Sequence, residues 1–242
     1  MPLEILTIPC LTDNYAYIAH DGDTDETLVV DVPEAAPVMA ALAQRGWTLS
    51  HVFLTHHHAD HVDGLDLLLE THPAKVIGAA ADAHRLAALD LAVREGDYIS
   101  IGSYRGEIMD VSGHTLGHIA LHFPEAKAAF TADSLMALGC GRLFEGSPQL
   151  MFESLTKLAT LPAQTWIYSG HEYTASNLKF ALSIEPENAR LISRGEKITV
   201  ARQADRPTVP ELLSEELATN PFLRSHTTKV RKACLLYTSD AA

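Results

Sequence analysis

Cysteine is scarce in this chain of 242 residues: only Cys10, Cys140 and Cys234 occur. An odd number without metal-ligand spacing excludes a disulfide framework and a thiolate zinc site, and it suits a reducing cytoplasm. Positive charge is also short, with 18 Lys plus Arg against 31 Asp plus Glu and a formal net charge of −13. Such a surface disfavours non-specific binding to nucleic acid or to an anionic membrane, so any anionic ligand must be held by a local patch. No stretch approaches the roughly 18 apolar residues of a membrane span, and MPLEILTIPC lacks the basic start and long apolar run of a signal peptide. There is no internal repeat, no low-complexity tract and no Gly-x-Ser-x-Gly, the mark of a serine nucleophile. What is present is an apolar fraction of 47%, enough for a core. The length suits one large domain with at most a small appendage, expected to be monomeric. Histidine is abundant, at 13 residues.

Turn residues divide the first third into short strands, LEILTIP, NYAYIAH and TLVVDV, which predict a β-meander. A helix over about 33–44 and the apolar strand HVFLTH follow. Helical spacing of Val62, Leu65, Leu68 and Leu69 then predicts a helix to Thr71, before the strand KVIGAA. DYISIGS, YRGEIMDVSG, HIALHFP and KAAFTADS return to strand, a helix is predicted from Pro148 to Ala159, and WIYSGH is a further strand. After Tyr173 the pattern is helical throughout. Strands followed by helix, given twice, predict a layered αβ arrangement of the α+β class with a small helical C-terminal domain. Periodicity leaves open two sheets or one mixed sheet.

The strongest local signal is Thr55-His56-His57-His58-Ala59-Asp60-His61, directly after an apolar strand. In extended chain alternate side chains share a face, so His56 and His58 point into one pocket, and the turn that follows aims Asp60 and His61 beside them. Imidazole and carboxylate donors suit zinc, and they also accept iron or manganese. Four donors in one loop exceed what a single open zinc site uses and imply two metals. Further donors at predicted strand ends are His114 in Ser-Gly-His-Thr, Asp133 in Phe-Thr-Ala-Asp and His171 in Tyr-Ser-Gly-His. By strand alternation His57 points away, and His118 is expected to orient a ligand rather than be one.

His-x-His-x-Asp-His after a strand, followed by Gly-His, an Asp and a last Gly-His, resembles the metallo-β-lactamase superfamily. That resemblance implies a four-layered αβ/βα sandwich over residues 1–172, with a helical substrate-binding domain over 173–242. Within the superfamily, THHHADH, SGHTLGH, FTADSL, GCGRLFEG, SGHEYT, EPEN and NPFLR are similar to the hydroxyacylglutathione hydrolases. The resemblance implies that His56, His58 and His114 hold one divalent metal, that Asp60, His61 and His171 hold the other, and that Asp133 bridges them. Zinc is the expected metal at both sites.

The implied reaction is hydrolysis of an S-(2-hydroxyacyl)glutathione, typically S-D-lactoylglutathione, in methylglyoxal detoxification. A metal-held hydroxide is the nucleophile, Asp60 and Asp133 are the catalytic carboxylates, and a glutathione thiolate is the leaving group. The small anionic substrate would be met by Arg142, Phe144 and Tyr173. The family often carries Lys and Tyr where Arg142 and Phe144 stand, so the charge is kept and one hydroxyl is lost. The ending RKACLLYTSDAA departs from the family, and residues 234–242 are expected to be non-native, so Lys229, Arg231 and Lys232 are given no substrate role. Alternatives on the same scaffold are a lactonase, a β-lactamase, a one-iron persulfide dioxygenase and a non-enzymatic metal module. An RNA phosphodiesterase is disfavoured by the acidic balance.

Overall fold

The computed structural model describes residues 2–233; Cys234 and the segment 234–242, expected to be non-native, lie outside them. The predicted meander is present as β1 (Glu4–Cys10), β2 (Asn14–Asp21) and β3 (Glu26–Val30), all antiparallel. Helix α1 (Ala35–Arg45) leads to β4 (His51–Leu54), then α2 (Ala59–Val62), α3 (Leu65–Thr71), β5 (Lys75–Ala79) and β6 (Leu91–Val93). Strands β3 to β6 run parallel, which completes a six-stranded sheet in the order β1 to β6.

The second sheet also has six strands. It takes β7 (Tyr98–Ile101), β8 (Tyr104–Asp110), β9 (Ile119–Phe123) and β10 (Ala128–Ala132) as an antiparallel series. A small hairpin, β11 (Leu135–Met136) with β12 (Gly139–Cys140), precedes α4 (Pro148–Ala159). Strand β13 (Trp166–Ser169) joins β10 in parallel. The C-terminal part consists of α5 (Thr174–Ile184), α6 (Ala189–Gln203), β14 (Glu211–Leu212), α7 (Leu213–Thr219) and α8 (Thr228–Ala233).

Alternation along the strands explains the layering. Leu28, Val30, Phe53 and Ile77 of the first sheet face Ile101, Ile108, Leu121, Phe123 and Phe130 of the second. Their neighbours Val29, Val52, Leu54 and Val76 face outward onto Val38 and Leu42 of α1 and Leu65 and Leu68 of α3. On the far side, Met109, Ala120, Ala129 and Ile167 meet Met151, Leu155 and Leu158 of α4. Helix, sheet, sheet, helix is the four-layered sandwich. Each fully buried phenylalanine, Phe53, Phe123 and Phe130, contributes about 1.5–3 kcal/mol of transfer free energy to it. Leu178, Ala181, Leu191 and Ile198 of α5 and α6 form a separate apolar cluster with Leu138, one of the two residues linking β11 to β12.

Three departures from the predicted elements have local causes. The helix expected from Val62 to Thr71 starts at Ala59 and breaks into α2 and α3. Val32 N–H donates to His61 O at 2.8 Å and Gly64 N–H donates to Val32 O at 2.9 Å, so the chain is bolted to the loop after β3 instead of continuing its helical register. Strands β6, β11 and β12 span two or three residues and are too short to show a period. The stretch after Tyr173 is not helical throughout, because Glu211–Leu212 pairs with Trp166 and Ile167 as an edge strand. Among the described residues no helix is long and apolar enough to cross a membrane.

Candidate metal centre

The ligand-bearing segments begin where β4, β8, β10 and β13 end, at one edge of the sandwich. Residues 55–58 remain extended, and His58, at φ −62 and ψ 140, is the last residue before α2. His56 and His58 therefore share a face, and the first turn of α2 carries Asp60 and His61 to the same place. Asp133 follows Ala132, whose φ is +41, at a register shift between β10 and β13. Asp31, at the end of β3, also has a positive φ, +56. Two positions of strained backbone thus lie where the polar groups converge.

The donor atoms fall into two clusters. In the first, His56 Nε2 is 3.2 Å from His58 Nδ1, which is 3.0 Å from His114 Nε2. In the second, His61 Nε2 is 3.3 Å from His171 Nε2, and Asp60 Oδ2 is 3.4 Å from the latter. Within each trio the donor atoms lie within 4.8 Å of one another. Asp133 stands between the trios: its Oδ2 is 3.5 Å from His114 Nε2 and 3.2 Å from His171 Nε2, and its Oδ1 is 3.5 Å from His61 Nε2. All seven donors named from the sequence are therefore brought together, in the grouping that the family resemblance implied.

The outward nitrogens fix which lone pairs face inward. His61 Nδ1 donates to Asp31 Oδ2 at 2.8 Å and His171 Nδ1 donates to Asp13 Oδ1 at 3.1 Å. His114 Nδ1 donates to the carbonyl of Arg142 at 2.7 Å, and His56 Nδ1 lies 3.0 Å from the Thr55 hydroxyl. Nε2 is therefore the inward nitrogen of His56, His61, His114 and His171, and in its deprotonated form it is the donor a metal requires. Asp31 is itself close enough to His56 and His61 to form a third trio. However, its oxygens already accept from Thr55 N–H, the Thr55 hydroxyl and His61, so it orients and does not ligate.

Electrostatics separate the two clusters. Burial, reinforced by neighbouring imidazoles, pushes the pKa of His56 and His58 below the ordinary histidine value, and burial also lowers His114 despite Asp133. Burial opposes charge on His61 too, but the carboxylates of Asp133, Asp31 and Asp60 outweigh it and raise the pKa to about 9. His171 is raised in the same way, against its burial, by Asp133 and Asp13. Asp133 is fully buried, and His61, His171 and His114 hold it as a carboxylate well below the usual range in spite of that burial. Its Oδ1 has no hydrogen-bond donor. A buried anionic oxygen without a donor, set among imidazole nitrogens, fits divalent cations.

The clusters open into a cavity of about 750 Å³ lined also by Arg142, Phe144, Tyr173 and Asn177. Gly141 and Gly170 permit this closeness. A Cβ on Gly141 would stand 1.9 Å from Asp133 O, and one on Gly170 would stand 2.3 Å from Asp133 Oδ1. Tyr173 stacks on His171 at 4.6 Å and 5°, whereas Phe144 meets His58 and His114 edge-on at 5.4 and 5.2 Å. Arg142 is exposed at the rim, 5.9 Å from the Phe144 ring. Cys140 also lines the cavity, but burial pushes its thiol up to about 12, so it is no nucleophile.

His57 turns away to Asp82 at 3.0 Å, as alternation predicts. His118, fully buried and stacked on His56 at 4.6 Å, accepts the Asp133 N–H at 3.3 Å and so orients a backbone rather than a ligand's ring. Sequence reasoning missed Asp13, Asn14 and Asp31. Asn14 Nδ2 donates to both Asp60 O at 2.9 Å and Asp60 Oδ2 at 3.1 Å. Their only signals were a Thr-Asp-Asn turn and an aspartate ending an apolar strand.

Comparison with known proteins bears on the same residues. The model of the metallo-beta-lactamase superfamily matches residues 12–171, and that of the hydroxyacylglutathione hydrolase C-terminus matches 172–242. The chain is 60% identical over 231 residues to the hydroxyacylglutathione hydrolase of Roseobacter denitrificans, covering 96% of this chain and 91% of that protein. It is 64% identical over 222 residues to that of Jannaschia sp., covering 92% and 87%. The BLEG-1 B3 metallo-beta-lactamase crystal structure is similar in fold, with a TM-score of 0.71 at 19% identity, covering 91% of this chain and 99% of that one.

Proposed function

Because the chain belongs to the hydroxyacylglutathione hydrolases of the metallo-β-lactamase superfamily, we propose that its metal centre cleaves glutathione thioesters by the following division of labour. The protein is a thioester hydrolase that converts an S-(2-hydroxyacyl)glutathione, typically S-D-lactoylglutathione, to glutathione and the 2-hydroxy acid, a step of methylglyoxal detoxification. The supporting observation is the C-terminal family match over 172–242. This is the segment that supplies Tyr173 and Asn177 to the cavity beside the donor clusters. We read residues 173–242 as the substrate-binding part and 1–172 as the catalytic part.

His56, His58 and His114 would hold one divalent ion, Asp60, His61 and His171 the other, and Asp133 would be shared between them. Zinc is the proposed ion at both sites, since this nitrogen and oxygen donor set suits it, while iron and manganese are accepted by the same chemistry. Such ions supply a hydroxide nucleophile near neutral pH and charge stabilisation for a developing oxyanion.

The chain's own groups do the rest. Burial raises the pKa of Asp60, but the Asn14 hydrogen bond, His61 and His171 outweigh it and lower the pKa overall, which favours the carboxylate and makes Asp60 a better ligand than base. Arg142 offers a cation to the glutathione carboxylates from the rim, and Tyr173 offers a hydroxyl. Phe144 and Tyr173 screen the two clusters from solvent. The departing thiolate, of pKa about 8.5, leaves without a dedicated acid. The protein would act as a cytoplasmic monomer on a small molecule, with no nucleic-acid or membrane partner.

Loss of thioester absorbance with S-D-lactoylglutathione, measured beside metal content, tests this reading. Turnover that disappears on chelation and returns with a divalent metal is expected. A fully metallated protein that hydrolyses no glutathione thioester would contradict it.

A further inference from the structure

We propose that Arg85 is a positioning residue for the substrate: with Asp82 and Glu145 it clamps the loop carrying Arg142 and Phe144 onto the loop of ligand histidines. The proposal rests on the functional reading above and concerns how the cavity rim is held in place.

Residues 141–146 lie between β12 and α4 and belong to neither. Leu143 and Phe144 are 40% and 62% exposed, so apolar burial does not anchor them. The loop is held by backbone bonds to the turn that carries His114. Phe144 N–H and Glu145 N–H donate to His114 O at 3.2 and 3.4 Å, and Gly146 N–H donates to Gly113 O at 3.1 Å. Gly141 N–H donates to Ser134 O at 3.3 Å and the Arg142 carbonyl accepts from His114 Nδ1 at 2.7 Å, and the anchor made by a side chain of the loop itself is the Glu145 carboxylate. It accepts Leu116 N–H at 2.9 Å and both terminal nitrogens of Arg85, and it lies 3.6 Å from His57 Nε2.

Arg85 in turn is forked onto Asp82 through Nε at 3.1 Å and through a terminal nitrogen. Asp82 is 1% exposed, and its other oxygen accepts from His57 Nδ1 at 3.0 Å. His57 stands between the ligands His56 and His58. One guanidinium therefore ties three loops together: the ligand loop through His57 and Asp82, the His114 turn through Glu145 and Leu116, and the substrate loop through Glu145 itself. Bidentate pairing on both sides fixes direction as well as distance, which lysine does not reproduce. Without the guanidinium, the carboxylates of Asp82 and Glu145 face each other unneutralised, and the substrate loop is the segment free to yield.

Arg85 touches none of the ligand side chains, and the one direct bond from a ligand ring to the loop, His114 Nδ1 to the Arg142 carbonyl at 2.7 Å, does not involve Arg85 or Glu145, so loss of the clamp should spare the metals and disturb substrate binding. A displacement of about 1 Å of binding groups costs up to about a hundredfold. Arg85→Gln is expected to raise KM for S-D-lactoylglutathione roughly tenfold or more, to change kcat less than about threefold, and to leave the metal stoichiometry unchanged. The affinity for S-methylglutathione, measured by calorimetry, should fall by the same factor as KM rises. Glu145→Gln should act in the same direction, and the double variant should be no worse than the more severe single one, because both remove one interaction. Arg85→Lys should recover only part of the loss. If Arg85→Gln does not fold, Glu145→Gln, whose side chain is one quarter exposed, carries the same measurement. An unchanged KM, additive effects in the double variant, or a loss of metal in parallel with kcat would each overturn the clamp while the wild type still turns over. A wild type inactive on every glutathione thioester would overturn the functional reading, and the clamp with it.

Discussion

The two donor clusters, which touch at Asp133, are built on opposite electrostatic plans. His56, His58 and His114 are imidazoles kept neutral by burial, and the groups behind His56 and His114 are a hydroxyl and a carbonyl. His61 and His171 each have a carboxylate behind them, Asp31 and Asp13, and Asp60 completes their trio. The first cluster is ready to receive a cation as it stands. In the second, the surrounding carboxylates favour the protonated form of both imidazoles in the metal-free protein. Neutral donors supply coordination without cost from like charge, whereas the anionic surroundings supply attraction at the expense of displacing a proton. The aromatic rim follows the same division, with Phe144 against the first cluster and Tyr173 stacked on the second.

Removing the shared residue should erase the difference altogether. Asp133→Ala is expected to reduce kcat/KM by about a thousandfold or more, the scale of losing several kcal/mol of metal-assisted stabilisation, and elemental analysis should show less than full occupancy. Next in size is the support behind the second cluster. Asp13→Asn, whose carboxylate backs His171, should weaken metal binding there by about 10- to 100-fold and leave the first cluster's affinity within a few-fold. An equal loss at both clusters in a competitive chelator titration would break the comparison.

The pH dependence follows from His61. Its folded-state pKa is raised to about 9 from an unfolded value of about 6.5, so in chelated protein its stabilisation is complete below pH about 6.5 and is lost as pH rises through about 9. Melting temperatures of chelator-treated protein should therefore fall across that interval. Addition of metal at neutral pH should release protons, as read by calorimetry in buffers of different ionisation enthalpy. Phe144→Tyr has the smallest expected effect. The restored hydroxyl can add one hydrogen bond to substrate, worth about 0.5–1.5 kcal/mol, and so lower KM by up to about tenfold with metal content unchanged.

The chemistry of this centre was legible in the sequence because ligands in one loop announce themselves by spacing. Thr55 to His61 states four donors outright, and His114, Asp133 and His171 each stand at the end of a recognisable strand. The supporting groups were not legible. Asp31 acts on His61 and Asp13 acts on His171 from 30 and 158 residues away, so nothing local marks either pairing. The clamp of Arg85 on Glu145 spans 60 residues and was equally hidden. In the fold, periodicity gave α4 to its ends at Pro148 and Ala159, whereas the equally periodic stretch from Val62 to Thr71 hid the break between α2 and α3. Strand β14 was read as helix because two residues beside the helical run of α7 have no period of their own, and pairing with β13 decides their state.

The central claim is that both clusters must be filled for one reaction. Titrating metal-free protein with zinc while following S-D-lactoylglutathione hydrolysis tests it most directly. The account predicts that activity continues to rise until two equivalents are bound; full activity at one equivalent would contradict it.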